Sequence, residues 1–340
     1  MVSNALPLYK KIGGTFLVKN VKRWIQFKRY LRGGNAHNNI RTFLNTPPVT
    51  TADIGSPLDL DGIIISLSTA LLRCTNPNSR TVFLGHGGGD KPYPGKKARE
   101  ELETFDFHFI TGPKHLEKLK DTGVDLPEER LIRIGNMRFD DYLNGKIDKE
   151  SVYSNLGIKD ITRKNVLYAP TWKWGDGTLL KYGYEFGCTL SKEFNVIIRP
   201  HGHDRMHIPK MKRWFKKQNI DHVYFSKPSD VLKHDTMDDF LVSDIMISDT
   251  SSILYEYLAT QKPIIQLKTN YKNMHNMPAH LDICSIATQF DESKKIDELV
   301  KDALEIQDNK LGVYEEMLND VFFFNDGKST DRAISFLDSL

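Results

Sequence analysis

Short apolar runs alternate with amphipathic segments along most of the chain, and this alternation limits the folds that the sequence can adopt. Short apolar runs bounded by turn residues predict buried strands, and the segments between them have the spacing of helices. Parallel strands need crossover helices, which cover both faces of the sheet. The strands predicted in this way are Ile63–Ile65, Thr81–Leu84, Phe107–Thr111, Leu131–Ile134, Asn165–Tyr168, Phe194–Ile198, His222–Phe225, Asp244–Ile247 and Ile264–Gln266.

The segments between these strands complete the prediction of the fold class. Because strands and helices alternate throughout, the sequence predicts an α/β protein of two Rossmann-like, doubly wound domains that face a cleft. The length of 340 residues also agrees with two domains. The predicted helices are a short one near Ser68–Arg73 and others at Lys114–Asp121, Phe139–Leu143, Pro209–Lys217, Ser251–Thr260, Ile296–Ile306 and Ser329–Leu340.

A charged stretch over residues 148–164 separates the two predicted halves. We therefore expect a basic N-terminal arm over residues 1–50, an N-terminal Rossmann-like domain over residues 51–155 and a C-terminal one over residues 156–340. In doubly wound sheets, ligands lie at the carboxyl ends of the strands, beside the N-termini of helices. The residues that follow strands are therefore the first candidates for a functional site.

Charge, cysteines and hydropathy exclude several classes of protein. The 47 Lys and Arg residues nearly balance the 44 Asp and Glu residues, which argues against a protein whose whole surface binds nucleic acid. Three widely spaced cysteines with no CxxC pair argue against a disulfide scaffold and against a thiolate zinc site. Without an apolar run of 18 residues or a signal-peptide pattern, we expect a cytoplasmic protein that is soluble or at most lies on a membrane.

The first 50 residues hold nine cations and no acid, although the whole chain has a net charge of only +3. Apolar and aromatic side chains stand among these cations, as in a helix that lies in a membrane interface. Each cation near an anionic leaflet contributes about 1 kcal/mol to binding. The alternative is a solvated basic arm, or a helix packed on its own domain. The residues predicted to contact a membrane or an acceptor here are Lys22, Arg23, Trp24, Lys28 and Arg29.

Hydroxyl residues follow the predicted strand that ends near Ser248. Asp249, Thr250, Ser251 and Ser252 form a turn, and a predicted helix begins directly after it. Free backbone N–H groups, hydroxyl donors and the helix dipole together suit a phosphate. Simple N-capping of the helix is the alternative, because Asp, Thr and Ser are ordinary capping residues.

Arg199, Pro200 and His201 follow another predicted strand. A guanidinium and an imidazole at a carboxyl edge can neutralise a pyrophosphate. The His201–x–His203 pair is also compatible with a metal ligand set, but no third and fourth ligand stand at metal spacing. We therefore predict that no metal binds here.

A single histidine, His86, stands among four glycines after the strand that ends at Leu84. Glycines let a substrate approach the backbone closely, so His86 is a candidate general base. The stretch is neither a Walker loop nor a dinucleotide-binding fingerprint. A structural role for the histidine is the alternative.

Two further patterns carry less information. Asp59 and Asp61 form a DxD pair, but the pair precedes its strand, so we interpret it as coincidence. The predicted helix over residues 209–217 is basic, with aromatic residues interleaved. It suits either lipid headgroups or a phosphate polymer, or it is a solvated helix face. Its candidate contact residues are Lys212, Arg213 and Lys216.

Together these stretches resemble the CDP-glycerol glycerophosphotransferase family of teichoic-acid and capsule biosynthesis. The resemblance covers residues 81–335, and its motifs stand in the family's order. The matching segments are Gly85-His86-Gly87, Gly135-Asn136-Met137-Arg138-Phe139-Asp140, Tyr168-Ala169-Pro170-Thr171-Trp172-Lys173, Arg199-Pro200-His201, Asp249-Thr250-Ser251-Ser252, Lys262-Pro263-Ile264-Ile265 and Asp326-Gly327-Lys328-Ser329 with Arg332.

The resemblance implies a glycosyltransferase-B-like fold whose last helix packs back toward the N-terminal domain. It implies a transferase that moves a polyol phosphate, most simply glycerol phosphate, from CDP-glycerol or a similar CDP-polyol and releases CMP. The acceptor would be a hydroxyl of a lipid-linked (undecaprenyl-type) or polysaccharide molecule. The enzyme would need no cofactor and would lie peripherally on the cytoplasmic face of the cell membrane.

The resemblance also assigns roles to residues. His86 would take the acceptor proton, and His201 would act with it at the reaction centre. Donor-binding roles are expected for Arg138, Pro170, Thr171, Arg199, Asp249, Thr250, Ser251, Ser252 and Lys328.

Three other functions remain open from the sequence. A nucleotide-sugar glycosyltransferase or epimerase shares the same fold class, and it would bind UDP-sugars instead of CDP-polyols. A non-catalytic subunit of a membrane assembly would tolerate loss of His86. A nucleic-acid-binding protein would use the basic arm, but the other 290 residues have a net charge of −6.

Overall fold

The computed structural model describes residues 2–18, 25, 40–42, 61–69, 76–85, 93, 95–173, 176–226, 234–270 and 277–340. The chain divides into two compact units. Unit 1 comprises Met1–Gly88, Pro92–Asp140 and Phe322–Leu340, and unit 2 comprises Gly89–Lys91 and Asp141–Val321.

The described elements are short strands and helices that alternate along the chain. The strands are β1 (Phe16–Val18), β2 (Ile40–Thr42), β3 (Ile63–Ser66), β4 (Arg80–Phe83), β5 (Phe107–Ile110), β6 (Leu131–Arg133), β7 (Asn165–Tyr168), β8 (Asn195–Ile198), β9 (Val223–Phe225), β10 (Ile245–Ser248), β11 (Ile264–Leu267) and β12 (Thr288–Phe290). The helices are α1 (Val2–Ile12), α2 (Gly95–Glu103), α3 (Pro113–Asp121), α4 (Asp140–Leu143), α5 (Lys149–Leu156), α6 (Leu179–Leu190), α7 (Ile208–Lys217), α8 (Thr236–Val242), α9 (Ile253–Tyr257), α10 (Ile296–Glu305), α11 (Gln307–Val321) and α12 (Ser329–Leu337). Turns of 3₁₀ helix lie at Glu128–Arg130, Met137–Phe139, Arg205–His207, Leu258–Thr260, Ala279–Leu281 and Ile283–Ser285.

Unit 1 contains a four-stranded parallel sheet in the order β3-β4-β5-β6, and β1 pairs with β2 in a small parallel sheet. Its apolar core combines sheet residues with residues from both ends of the chain. Val82 and Phe109 of the sheet belong to one buried cluster with Leu8 of α1 and with Ala333 and Leu337 of α12. The last helix is therefore part of unit 1, although it is far from β3–β6 in sequence.

Unit 2 contains a six-stranded parallel sheet in the order β12-β11-β10-β7-β8-β9. Its first strand, β7, lies in the middle. The chain then adds β8 and β9 on one side and β10, β11 and β12 on the other. This is the strand order of the dinucleotide-binding Rossmann fold, and its topological switch point lies between β7 and β10. Ligands of such sheets bind outside the carboxyl ends of the strands at that point.

The central strands of unit 2 are mostly apolar and are buried along their whole length, as expected for a parallel sheet with helices on both faces. All four residues of β7, β8, β10 and β11 are buried. On one face, α6 approaches α7 closely at Gly187, where an added Cβ would lie 2.4 Å from a Phe215 ring atom. The result is a rigid sheet whose carboxyl edge can hold loops in fixed positions.

The α/β fold class predicted from the sequence is confirmed. Each of the nine predicted strands is present. No observed strand end differs from the predicted one by more than one residue. The sequence analysis missed β1, β2, β12 and several helices, among them α6, which contains two glycines that lower helix propensity. The predicted helix over residues 251–260 is a five-residue α-helix, Ile253–Tyr257, followed by a 3₁₀ turn. The predicted piece at residues 68–73 lies mostly outside the described residues, as does Asp59 of the DxD pair.

The beginning of the basic arm matches one of the alternatives to a membrane-bound segment, that of a helix packed on its own domain. Helix α1 packs with α12, and Leu6 and Leu8 are buried. Lys11 forms an ion pair with Asp331 of α12. Residues 2–12 are therefore part of the fold of unit 1, because their apolar face has a partner within that unit. Ile25, farther along the arm, lies in a helix and is 42% exposed.

None of the described helices is both long enough and apolar enough to cross a membrane.

Candidate active site

The switch point of unit 2 is held together by one buried carboxylate, that of Asp249. Asp249 follows β10 and is fully buried. Its Oδ1 accepts a hydrogen bond from the backbone N–H of Thr171 (2.7 Å), directly after β7. Its Oδ2 accepts from the backbone N–H (3.0 Å) and the hydroxyl (2.9 Å) of Thr178. The carboxylate thus fixes both ends of the loop over residues 171–178 against β10.

The two ends of this loop approach each other closely. Gly177 donates its N–H to the carbonyl of Trp172 at 3.1 Å. An added Cβ at Gly177 would lie 2.2 Å from the Thr171 carbonyl oxygen, so only glycine fits. At the base of the loop, the Tyr168 hydroxyl lies 2.8 Å from the Thr178 hydroxyl, and the Ser248 hydroxyl donates to the carbonyl of Ala169. Loop and strand ends therefore form one hydrogen-bonded body.

Asp249, Pro170 and Thr171 were predicted to bind the donor, but in the structure they are buried and hold neighbouring groups in place. The Thr171 side chain is 4% exposed, Pro170 is buried, and the Asp249 carboxylate is engaged by its own chain. A fully buried carboxylate has no free face for an anionic ligand, and it would repel one. These three residues therefore hold the groups around them in place.

Ser251 and Ser252 are half-buried and precede the first turn of α9. Neither hydroxyl bonds to another residue among those described, and Ser252 makes no side-chain cap at the start of the helix. The simple capping interpretation therefore fails for Ser252. Thr250 lies beside them and is also half-buried. Two hydroxyl donors at the switch point suit a phosphate ligand.

Three aromatic rings lie at the neighbouring strand end. His201 stacks on Trp172 with a ring-centroid distance of 5.9 Å, and His203 lies 4.8 Å from the same indole. The backbone N–H of His203 donates to Nδ1 of His201 at 3.2 Å. Asp204 links the two loops because its carboxylate accepts from the Lys173 N–H at 3.1 Å. The sequence motifs that contain Trp172 and His201 are therefore neighbours in space.

Arg199 was predicted to face a pyrophosphate, but its side chain is only 8% exposed. Its Nη1 donates to Asp239 Oδ2 (2.5 Å) and to the Ser226 hydroxyl (2.7 Å). His234 bonds to the other oxygen of the same carboxylate. The sequence analysis missed Ser226, His234 and Asp239. The closely spaced His234, Asp238 and Asp239 were the available signal, but their meeting with Arg199 depends on the pairing of β8 and β9.

Two of the predicted donor-binding residues, Arg138 and Lys328, lie in unit 1. The segments that contain them meet there, because Asp140 accepts from the backbone N–H groups of Ser329 (3.1 Å) and Thr330 (2.7 Å). Its carboxylate thus caps the N-terminus of α12. At Gly135, with φ of 85°, an added Cβ would lie 2.6 Å from the Ser329 hydroxyl oxygen. Arg138 is half-buried on the turn before α4, and Lys328 is exposed.

Lys262 has a structural role that its motif did not show. Its ammonium donates to three carbonyl oxygens at the end of α8, those of Phe240, Leu241 and Ser243. Burial lowers the pKa of this lysine to about 8. Lys262 is therefore a C-terminal cap of α8 and lies outside the candidate site.

Lys212, Arg213 and Lys216 lie on helix α7, whose apolar face is already used by unit 2. Met211 and Phe215 of this helix are buried in the core, and Trp214 packs edge-on against Tyr184. The three cations themselves are exposed. The aromatic residues thus belong to the core, so α7 can meet a membrane or an anionic acceptor only through its charges.

Several predicted site residues fall outside the part of the chain that the structure describes. They are His86, Lys22, Arg23, Trp24, Lys28 and Arg29. Within the described ranges, no group of three or more His, Cys, Asp or Glu side chains is placed to hold a metal ion.

A known protein family matches most of this chain. The model of the CDP-glycerol:poly(glycerophosphate) glycerophosphotransferase family matches residues 85–337. The chain belongs to this family. The match contains each of the motif segments described above, from the glycine-rich loop at Gly85 to the start of α12.

Curated relatives of this glycerophosphotransferase family member include two teichoic-acid enzymes. The teichoic acid glycerol-phosphate primase of Bacillus subtilis (strain 168) is 21% identical over 253 residues, which are 72% of this chain and 60% of the relative. The teichoic acid poly(glycerol phosphate) polymerase of Staphylococcus epidermidis is 25% identical over 175 residues, 50% of this chain and 24% of the relative. The chain thus spans less than two thirds of the length of either relative.

Solved structures show the same fold at low sequence identity. The wall teichoic acid polymerase TagF, as a variant soaked with CDPG, has a TM-score of 0.64 at 15% identity and covers 99% of this chain and 84% of that one. UDP-GlcNAc 2-epimerase from Neisseria meningitidis, bound to UDP-GlcNAc, has a TM-score of 0.52 at 13% identity and covers 96% and 99%. The glycosyltransferase-B-like fold class expected from the sequence is confirmed.

Proposed function

We propose that this chain transfers a polyol phosphate, most simply glycerol phosphate, from CDP-glycerol to an acceptor hydroxyl and releases CMP. One observation carries the proposal. At the switch point of unit 2, the Asp249 carboxylate joins two of the family's motif segments and leaves the Ser251 and Ser252 hydroxyls beside them. This is where a Rossmann-type sheet binds the phosphates of a nucleotide.

The proposed chemistry is a displacement at the β-phosphorus of the donor. The acceptor oxygen bonds to this phosphorus, the bond to the bridging oxygen breaks, and that oxygen leaves with CMP. His86 takes the acceptor proton, which typically accelerates such a step by about 10²–10⁴-fold. The Ser251 and Ser252 hydroxyls and His201 donate to the pyrophosphate oxygens as charge moves onto the leaving group. The rest of the rate acceleration comes from holding the acceptor and the donor in the reacting geometry.

Arg199 and Asp249 support this reaction without touching the donor, since both side chains are buried in bonds to their own unit. Arg138 and Lys328 in unit 1 supply positive charge for the donor or the acceptor. The proposed reaction needs no cofactor.

We further propose an acceptor that is lipid-linked (undecaprenyl-type) or a polysaccharide, in teichoic acid or capsule biosynthesis. The enzyme would work peripherally on the cytoplasmic face of the cell membrane. Support comes from the nine cations of residues 1–50, from the exposed Ile25 and from the exposed cations of α7. Anionic lipid attracts such residues.

Ligand-dependent thermal unfolding tests the donor class. A ligand at 100 times its dissociation constant stabilises the folded state by about 2.7 kcal/mol. We expect CDP-glycerol and CDP to raise the unfolding midpoint, and UDP-GlcNAc to leave it unchanged. The double variant Ser251→Ala/Ser252→Ala should lose most of the shift. Ser154→Ala, an exposed serine on α5, is the matched control and should keep it. Protection by UDP-GlcNAc alone would favour a nucleotide-sugar enzyme instead.

A further inference from the structure

A closed network of four side chains lies at the carboxyl edge of the unit 2 sheet, next to the proposed donor site. Asp239 on α8 is fully buried and accepts from Arg199 Nη1 (2.5 Å) and the Ser226 hydroxyl (2.7 Å) at Oδ2. Its Oδ1 lies 2.5 Å from His234 Nε2. Arg199 Nη1 also donates to the Ser226 hydroxyl. Of these four residues, only Arg199 belongs to a motif that the sequence analysis identified.

The network joins three separate strand or helix ends. Arg199 follows β8, Ser226 follows β9, and His234 precedes α8. Ser226 and His234 also bracket residues 227–233, so the same carboxylate holds both ends of that connection. A single buried anion therefore fixes the edge of the sheet from which the segment Arg199–His201 leaves.

The electrostatics of the network favour ionised Asp239. Burial opposes the charge, but the Arg199 guanidinium and the hydrogen bond from His234 outweigh it and hold the pKa of Asp239 below its usual range. A buried ion pair with full hydrogen bonding is weak evidence for stability, whereas removal of one partner leaves an uncompensated charge. In some proteins such pairs are retained because they fix one geometry, and here the pair lies at the start of the segment that contains His201.

We infer that Asp239, with Ser226 and His234, is a positioning residue that sets the backbone of residues 199–204 and thereby the imidazole of His201. The inference rests on the proposed function, because it assigns that imidazole to the donor. Two backbone hydrogen bonds hold this segment, and their N–H groups can be followed by hydrogen–deuterium exchange. The Arg199 N–H donates to the Tyr168 carbonyl and the Asp204 N–H to the His201 carbonyl, each at 2.8 Å.

Hydrogen–deuterium exchange of the full chain without ligand is the first test. In Asp239→Asn, which keeps the side-chain shape but removes the charge, amides of residues 199–204 should exchange at least tenfold faster. Asp244→Asn is the matched control: its carboxylate accepts from the Asn165 N–H at the opposite, amino edge of the same sheet. This control should leave exchange in residues 199–204 unchanged. Equal exchange in the wild type and Asp239→Asn would overturn the inference.

Ser226→Ala keeps the inference testable should Asp239→Asn not fold. It removes one hydrogen bond from the same carboxylate and should accelerate exchange in the same segment by about two- to tenfold. Unchanged exchange in this variant would also overturn the inference.

Titration with CDP-glycerol is the second readout. Asp239→Asn should bind it at least tenfold more weakly, and Asp244→Asn should bind it like the wild type. Wild-type protein that binds no CDP-glycerol would contradict the proposed function and leave the exchange result standing. Faster exchange with unchanged donor affinity would show that Asp239 has a structural role only, and it would overturn the positioning role.

Discussion

At the scale of single residues, acidic side chains of the motifs mostly act on the protein itself. Asp140 caps α12, and Asp249 holds the loop over residues 171–178. Asp239, outside the motifs, holds Arg199. Carboxylates that accept several backbone or guanidinium bonds fix loops in one conformation, whereas the hydroxyls of Ser251 and Ser252 bond to no other described residue. Under the proposed function, this division would let an anionic donor bind at a site bordered by aspartates.

Two buried histidines in unit 1 make this unit sensitive to acid. Burial lowers the pKa of His108 to about 4 and of His115 to about 3, with Lys118 also opposing the charge on His115. The unfolded chain takes up protons at both sites below pH 6.5, but the folded chain does so only near these lower values. Stability should therefore fall as the pH drops from about 6.5 toward 4, by up to about 2.7 kcal/mol per pH unit for two protons.

Urea unfolding at pH 7 and pH 5 measures this dependence. His115→Gln should lose about half of it, because Gln carries no charge in either state. His280→Gln, an exposed histidine, is the control. A stability that is equal at the two pH values in the wild type would contradict the burial of these imidazoles.

At the scale of elements, much of the fold was predictable from sequence, because buried parallel strands are continuous apolar runs. Strand β7 was predicted at its observed bounds, and β10 and β11 within one residue. Helix α1 was not predicted, because its apolar face is short and its partner, α12, lies at the other end of the chain. The network around Asp239 was equally hidden. His234 and Asp239 are near each other along the chain, but Arg199 and Ser226 join them only because β8 pairs with β9 and α8 packs beside these strand ends.

Two basic parts of the chain, residues 19–32 of the arm and helix α7, are candidates for membrane contact. We expect the arm to bind more strongly, because the apolar face of α7 is buried in unit 2. Replacing Lys22, Arg23, Lys28 and Arg29 with Gln should weaken binding to anionic vesicles at least tenfold, at about 1 kcal/mol per cation. Sedimentation with vesicles at 0.01 M salt, where the Debye length is about 30 Å, gives the largest effect.

The matched variant replaces Lys212, Arg213 and Lys216 with Gln and should sediment nearly as the wild type does. Full sedimentation of the arm variant, together with loss of binding in the α7 variant, would move the membrane contact to unit 2. Deletion of the whole arm is a poor test, because it removes Leu8 from the core of unit 1.

At the scale of the whole molecule, the fold places candidate groups in both units. Unit 2 has the Rossmann strand order and the switch-point hydroxyls, and unit 1 contains the strand that leads into the His86 segment. The sequence motifs predicted candidate segments, and the structure shows that Asp249, Asp140 and Arg199 in them bond to their own unit.

The most direct test of the central claim is the mass of an acceptor after incubation with CDP-glycerol. A synthetic lipid-linked saccharide in vesicles serves as the acceptor, and CMP is measured in the same reaction. We predict an acceptor heavier by one or more glycerol-phosphate units with an equal amount of CMP. His86→Ala should lower the rate at least a hundredfold while CDP-glycerol binding stays within a few-fold. An unchanged acceptor mass with no CMP, while UDP-GlcNAc is converted, would contradict the account.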